Sequence, residues 1–131
     1  MNDSPERAIG EAEEWMQSAE DKLPRAKADY RAASVCCAAA IHAIIRANDA
    51  ITLKFDQKKV TRHDDASGLF SKLVKQNKLL EEDGRFIVLL QKSAMHKSGA
   101  DYGKENFGHE DAKYFVSEGK EFIAAMKKRL E

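Results

Sequence analysis

Lys92, His96, Lys97, Asp101 and Tyr102 are the residues whose types and spacing offer chemistry in this sequence. An imidazole titrates near neutral pH, so His96 can take or give a proton. Lys92 and Lys97 supply ammonium groups that can sit beside an anion. Helix positions four apart share a face, so Lys92 and His96 are expected to be neighbours. Successive positions point about 100° apart, so His96 and Lys97 do not converge naturally on one group. Asp101 and Tyr102 fall where their helix is expected to end. In one reading Tyr102 stacks on a base or bonds a phosphate while Asp101 orients a basic group. In the other, the tyrosine packs on a helix end and the aspartate closes a turn.

The other polar residues point to structure. His42, inside an apolar helix, reads as a hydrogen-bonded core histidine. His63 beside Asp64 and Asp65, and His109 before Glu110 and Asp111, sit at helix starts, where the helix dipole disfavours an imidazolium. No two histidines have the spacing of a helical metal pair, so neither a structural metal nor any cofactor is expected. The sequence has no Walker-type phosphate loop and no nucleophile elbow. A ferritin-type carboxylate bundle would need Glu-x-x-His pairs, which are missing. Cys36 and Cys37 are adjacent and point in different directions, which excludes a bond between them. They read as buried thiols in a reducing compartment.

These side chains must be carried by helices. The organising stretch is 30–55, YRAASVCCAAAIHAIIRANDAITLKF, which has no Pro or Gly. Tyr30, Ala33, Cys37, Ala40, Ile44, Ala47, Ile51 and Phe55 recur at spacings of three and four. A second stripe through Val35, Ala38, His42, Ile45 and Asp49 makes the middle apolar or small nearly all round, as in a helix walled in by neighbours. Arg46 and Asp49 are expected to meet water. Before it, Ser4 and Pro5 start a helix whose inward face is Ala8, Ile9, Ala12, Trp15, Met16, Ala19 and Leu23, interrupted or kinked at Pro24. After it, Thr61 and Asp64 resemble a capping box, and Ala66, Leu69, Phe70, Leu73 and Val74 follow at helical spacing. Residues 77–84 read as a loop, and the next helix turns Phe86, Leu89, Leu90, Ala94 and Met95 inward. The stretch SGADYGKENFGHED reads as an exposed loop, and Ala112, Phe115, Gly119, Phe122, Met126 and Leu130 mark a last amphipathic helix. The expected fold is all-α, an up-and-down four-helix bundle with a short fifth helix, one domain over residues 1–131.

Lys plus Arg equals Asp plus Glu at 22 each, so bulk charge gives no push toward nucleic acid or acidic membranes. Lys54, Lys58, Lys59, Arg62, Lys72, Lys75 and Lys78 read as a solvated face. No run approaches the roughly 20 apolar residues of a membrane span. The N-terminus is acidic where a signal peptide is basic, so a cytoplasmic protein without membrane contact is expected.

Taken in order, three segments resemble HEPN domains, helical modules found beside minimal nucleotidyltransferases in prokaryotes. AAIHAIIRA (39–47) is similar to the family's second helix and TRHDDASGLFSKLVK (61–75) to its third. KSGADYG (97–103), followed by an acidic helix start, is similar to the Arg-x-x-Ala-Asp-Tyr pattern of one branch. The likeness covers roughly Ala12 to Leu130. It implies a homodimer, association with RNA or a nucleotide, and a minimal nucleotidyltransferase as partner.

Ribonuclease members of the wider family use an Arg followed after four to six residues by His, both protomers facing one cleft. Here the His is His96, and Leu89, Leu90 and Gln91 stand where that Arg would be. Lys97 takes the Arg place of the other pattern, keeping the charge but losing the planar fork that grips a phosphate twice. Metal-independent RNA cleavage needs a base, an acid and a cation. With that set incomplete, the resemblance implies weak or absent ribonuclease activity. Any cleavage would use His96 for proton transfer and Lys97 or Lys92 as phosphate contact, with Asp101 and Tyr102 binding substrate. The competing expectation is a non-enzymatic adaptor or dimerisation module docking through the SGADYGKENFG loop. A nucleotide binder should gather His96, Lys97 and Tyr102 around one hollow; an adaptor should scatter them.

Overall fold

The computed structural model describes residues 3–56, 66–101 and 106–131, with the backbone alone for 98–101. Lys58, Lys59, the capping-box pair Thr61 and Asp64, Arg62, His63 and Tyr102 lie outside the described residues, as does the side chain of Asp101.

Helix α1 spans Pro5–Ala26. Ser4 Oγ accepts from the Arg7 amide at 3.1 Å, and Pro5 fills the first helical position, where an N–H would lack a helical partner anyway. Pro24 falls in the last turn, and the helix runs on only to Ala26. Helix α2, Tyr30–Asp56, follows after three residues, so the two form an antiparallel hairpin. Its entry is fastened by Asp29, whose carboxylate accepts from the Arg31 amide at 2.9 Å and from Arg31 Nε at 3.3 Å. Those bonds, the amide's first, hold Asp29 below the usual carboxylate range.

Helix α2 is the organising rod its spacing predicted. The first stripe is buried in its middle, where Ala40, Ile44 and Ala47 are fully enclosed, whereas of the second only Ile45 is buried: Ala38, His42 and Asp49 are half-buried and Val35 is exposed. By length and composition this helix could cross a bilayer, but 72% of its apolar window is buried inside the fold, as a core helix requires. Tyr30 and Val35 face outward: Tyr30 begins the helix, and Val35 lies on the outer side of a segment whose Ala32, Ala33, Cys36 and Cys37 are buried.

Helix α3, Ala66–Lys75, packs on α2 and α4. Asn77 then adopts φ 60°, and the amides of Lys78 and Leu79 turn back to the Leu73 carbonyl at 3.0 and 3.3 Å. Asn tolerates this left-handed turn better than most residues, and it ends the helix. A 3₁₀ helix, Glu81–Phe86, occupies part of the expected loop and leads into α4, Ile87–Asp101. The expected exposed loop after His96 is thus helical through Asp101. Helix α5, His109–Leu130, lies against α1 and α2. Phe122 meets Phe86 edge-on at 5.2 Å and Phe70 at 5.8 Å with a 57° tilt, which ties α5 to the 3₁₀ helix and α3.

The fold is therefore all-α, a bundle of α1, α2, α4 and α5 with α3 as the short addition, and without a strand among the described residues. Two ion contacts fix its far end. Buried Asp83 accepts from Arg129 Nε at 2.8 Å and Nη2 at 2.9 Å, which raises the arginine's pKa. Lys54 Nζ caps the last carbonyls of α5, at 3.3 Å from Arg129 and 3.0 Å from Leu130.

Candidate functional site

Helix α4 distributes the candidate residues by its own periodicity. Phe86, Leu89, Leu90 and Ser93 are buried, and Lys97 is the next turn along that inward face. Val88 and Met95 lie on the opposite face, and Met95, expected inward, is 70% exposed. It sits nine residues after the buried Phe86, about two and a half turns at 100° per residue, and so on the opposite face.

The side chains of α4 then part company. Lys92 Nζ rests 4.5 Å above the Tyr114 ring on α5, a cation–π contact. The half-buried His96 ring lies edge-on to Phe107 at 5.6 Å and to Phe115 at 6.4 Å. Lys92 and His96 thus share the α5 side, as their spacing predicted. Lys97 turns to α2, where its ammonium donates to His42 Nδ1 at 2.9 Å. An ammonium has no acceptor, so Nδ1 accepts and the proton of this neutral imidazole is on Nε2. His96 and Lys97 accordingly face different helices.

His42, expected as a core histidine, is half-buried, and its ring packs on Trp15 of α1 at 4.4 Å with a 52° tilt. Trp15, expected inward, is 44% exposed. The buried stripe of α1 is Ala8, Ala12, Met16 and Ala19, and the indole flanks it toward His42. Three helices therefore meet at Trp15, His42 and Lys97.

One turn away the same two helices are clasped by charge. Arg46, four residues after His42, donates from Nη1 and Nη2 to the two Asp3 oxygens, each at 2.8 Å. It also donates from Nε to Glu11 at 2.7 Å and from Nη1 to Asp49 at 3.2 Å. Its side chain is only 14% exposed, so the expectation that Arg46 marks the water boundary is corrected. Glu11 lies four residues before Trp15, so Trp15–His42 and Glu11–Arg46 are successive rungs of one antiparallel ladder. The Asp3 carboxylate, foremost among these partners, drives the Arg46 pKa upward. Arg46, in turn, holds the Glu11 carboxyl below its ordinary range against the opposing effect of burial.

Beside Trp15 a groove of about 550 Å³ runs along α1, lined by Glu6, Arg7, Gly10, Glu11, Glu14 and Ser18. A Cβ at Gly10 would meet nothing within 4 Å, so the groove is open there. Among the described residues, Ser93 Oγ on α4 and Asn48 Oδ1 on α2 are buried without a hydrogen-bond partner. The thiols are sealed in the core. Cys36 donates to the Ala19 carbonyl at 3.2 Å, and burial pushes Cys36 up to about 11 and Cys37 up to about 12. Among the described residues no group of three His, Cys, Asp or Glu side chains could hold a metal ion.

Sequence reasoning thus missed His42, Trp15 and the Arg46 clasp. A signal was present: His42 and Arg46 are a four-residue pair of polar side chains in the apolar middle of 30–55, and Glu11 and Trp15 have the same spacing on the preceding helix. Compared with known proteins, the chain matches the family model described as HEPN domain over residues 6–130. No curated protein matches it.

Proposed function

The chain belongs to the HEPN domain family, and on that footing we propose that it is an RNA- or nucleotide-associated module. In this reading it acts as one domain, the toxin-like or accessory partner of a minimal nucleotidyltransferase, homodimeric and cytoplasmic. The observation that carries the RNA or nucleotide role is the 2.9 Å contact between Lys97 and His42. An ammonium and an imidazole side by side bring two N–H donor groups to one place, which suits a phosphate. Trp15, packed on that imidazole, adds an aromatic surface of the kind on which bases stack.

Ribonuclease activity in this reading is weak or absent. His96, the expected proton-transfer group, leans on Phe107 and Phe115, while Lys97 faces another helix. Lys92 remains the cation nearest His96 in sequence on the α5 side, over Tyr114. Asp101 and Tyr102 keep their proposed substrate-binding roles. The separation of His96 from Lys97 is also the one observation that favours the second reading, a non-enzymatic adaptor.

Fluorescence anisotropy of a labelled single-stranded RNA separates the two. The nucleotide-associated reading predicts saturable binding that Lys97→Ala weakens about tenfold, the loss of one charge-assisted phosphate contact, while Lys92→Ala changes it little. No binding, or binding indifferent to Lys97, would leave the adaptor. Co-purification with a co-expressed minimal nucleotidyltransferase tests the partner independently.

A further inference from the structure

We infer that the outer face of α1 pairs antiparallel with the same face of a second copy of this chain, about a two-fold axis at Ser18. Glu11 and Glu14 of each copy then lie opposite Arg25 and Lys22 of the other. This names the interface of the proposed homodimer and rests on that reading.

Six positions of α1 fall in one sector of the helix, about 80° wide at 100° per residue: Arg7, Glu11, Glu14, Ser18, Lys22 and Arg25. The buried stripe through Ala8, Ala12, Met16, Ala19 and Ala26 is centred about 120° away, so the sector flanks the core, and Arg7, Glu14 and Arg25 are exposed. Two open grooves follow it end to end. The first, about 550 Å³, sets Glu6, Glu11 and Glu14 against one cation, Arg7. The second, about 690 Å³, sets Lys22, Arg25 and Arg31 against one carboxylate, Asp29. The two grooves thus carry equal and opposite net charge.

The order of these charges is its own complement. Glu14 lies four residues before Ser18 and Lys22 four after it; Glu11 lies seven before and Arg25 seven after. Turning a second helix antiparallel about Ser18 therefore sets each carboxylate against a cation, twice over by symmetry. A contact between identical faces requires this self-complementarity, whereas a foreign partner does not.

The groups are available for such a contact. Among the described residues the side chains of Glu14, Lys22 and Arg25 make no hydrogen bond or ion pair within the chain. Glu11, though clasped by Arg46, keeps 42% of its side chain exposed. Glu14 and Lys22 are eight residues apart on one helix, about 12 Å, too far to pair within a copy. Shape agrees with charge. Gly10, eight residues before Ser18, leaves open space in the acidic groove. The same register brings Pro24 and Ala28 of the second copy, which line the basic groove, to that level.

Sedimentation equilibrium of the purified chain reads the dimer directly. Glu14→Lys or Lys22→Glu alone sets like charges together twice per dimer and should raise the dissociation constant at least about tenfold. The double variant restores both pairs and should return to within about threefold of wild type. An equal mixture of the two single variants should also dimerise, since each meets its opposite. Higher salt should weaken the wild-type dimer. On mild oxidation Ser18→Cys should give a disulfide-linked dimer, because the native thiols are buried, whereas Glu6→Cys, far from the axis, should not. A wild-type dimer indifferent to both charge reversals overturns the α1 interface and leaves the homodimer standing. So does a weakening that neither the double variant nor the mixture repairs. A chain that stays monomeric overturns both. A monomer that binds polyglutamate through Lys22 and Arg25 does so too, and assigns the basic groove to an acidic partner.

Discussion

The two flanks of α2 are built differently. Toward α5 the helix is closed: Gly119 stands against Met16 and Ile44 so closely that a Cβ there would lie 2.5 Å from Met16 Cε and 3.1 Å from Ile44. Toward α4 and the outer side of α1 it is open: His42 meets a tryptophan and a lysine, and Arg46 gathers three carboxylates. The comparison teaches that one helix can divide its labour by face. Small and apolar residues fix the bundle on one side, and polar and charged pairs tie it on the other.

The largest expected effect breaks the closed flank. Gly119→Leu places a branched side chain where a Cβ alone already presses on Met16 and Ile44, more than a shift of the methionine end can absorb, and should cost about 3 kcal/mol of stability in urea unfolding. Nucleotide affinity of the fraction that stays folded should be unchanged, since the open flank is not touched. Next, Arg46→Ala removes the clasp and leaves Asp3 and Asp49, each with a side chain 15% exposed, without their shared cation. That should cost about 2 kcal/mol, below the figure for a fully buried pair because these groups keep some water. It should also loosen the Trp15–His42 rung one turn away, visible as a change in tryptophan emission.

A smaller effect sharpens the contrast between the histidines. His96→Ala removes ring contacts with Phe107 and Phe115 and should cost about 1 kcal/mol, read as a lower Tm. RNA affinity should stay the same, whereas His42→Ala should lower it. The smallest effect is electrostatic. Folding holds the Glu11 carboxyl below its ordinary pKa, so its ion pair stabilises the protein above about pH 4.3 and is lost as pH falls through the lowered native value. Thermal melts of wild type and Glu11→Gln should differ at pH 7 and converge toward pH 2. The gap should stay below about 1 kcal/mol, because the Glu11 side chain is partly exposed.

Much of the bundle was legible in the sequence because burial in helices leaves a period. The stripe through Ala33, Cys37, Ala40, Ile44 and Ile51 located α2 and its role, and the Ser4–Pro5 start of α1 was marked by its own chemistry. The errors fall at the margins of stripes. Trp15, Tyr30 and Met95 are large and apolar, which suggests burial, yet each lies at an edge or beyond the neighbouring helix. The site was less legible because its contacts are long-range. Lys97 finds His42 across 55 positions, and Arg46 finds Asp3 across 43, distances over which local spacing carries no information. What spacing could settle, it did: His96 and Lys97 diverge, and Lys92 shares the side of His96. The likeness to HEPN domains singled out Lys97, but only the tertiary structure paired it with His42.

In the proposed reading phosphate is received on the flank of α2 that carries His42 and meets Lys97, and not at His96. Side-chain ¹H–¹⁵N spectra of the four histidines during a GMP titration test it most directly. The account predicts that the His42 ring resonances, assigned by their loss in His42→Gln, shift in a saturable way while those of His96 stay in place. Movement of His96 with His42 unmoved would contradict it.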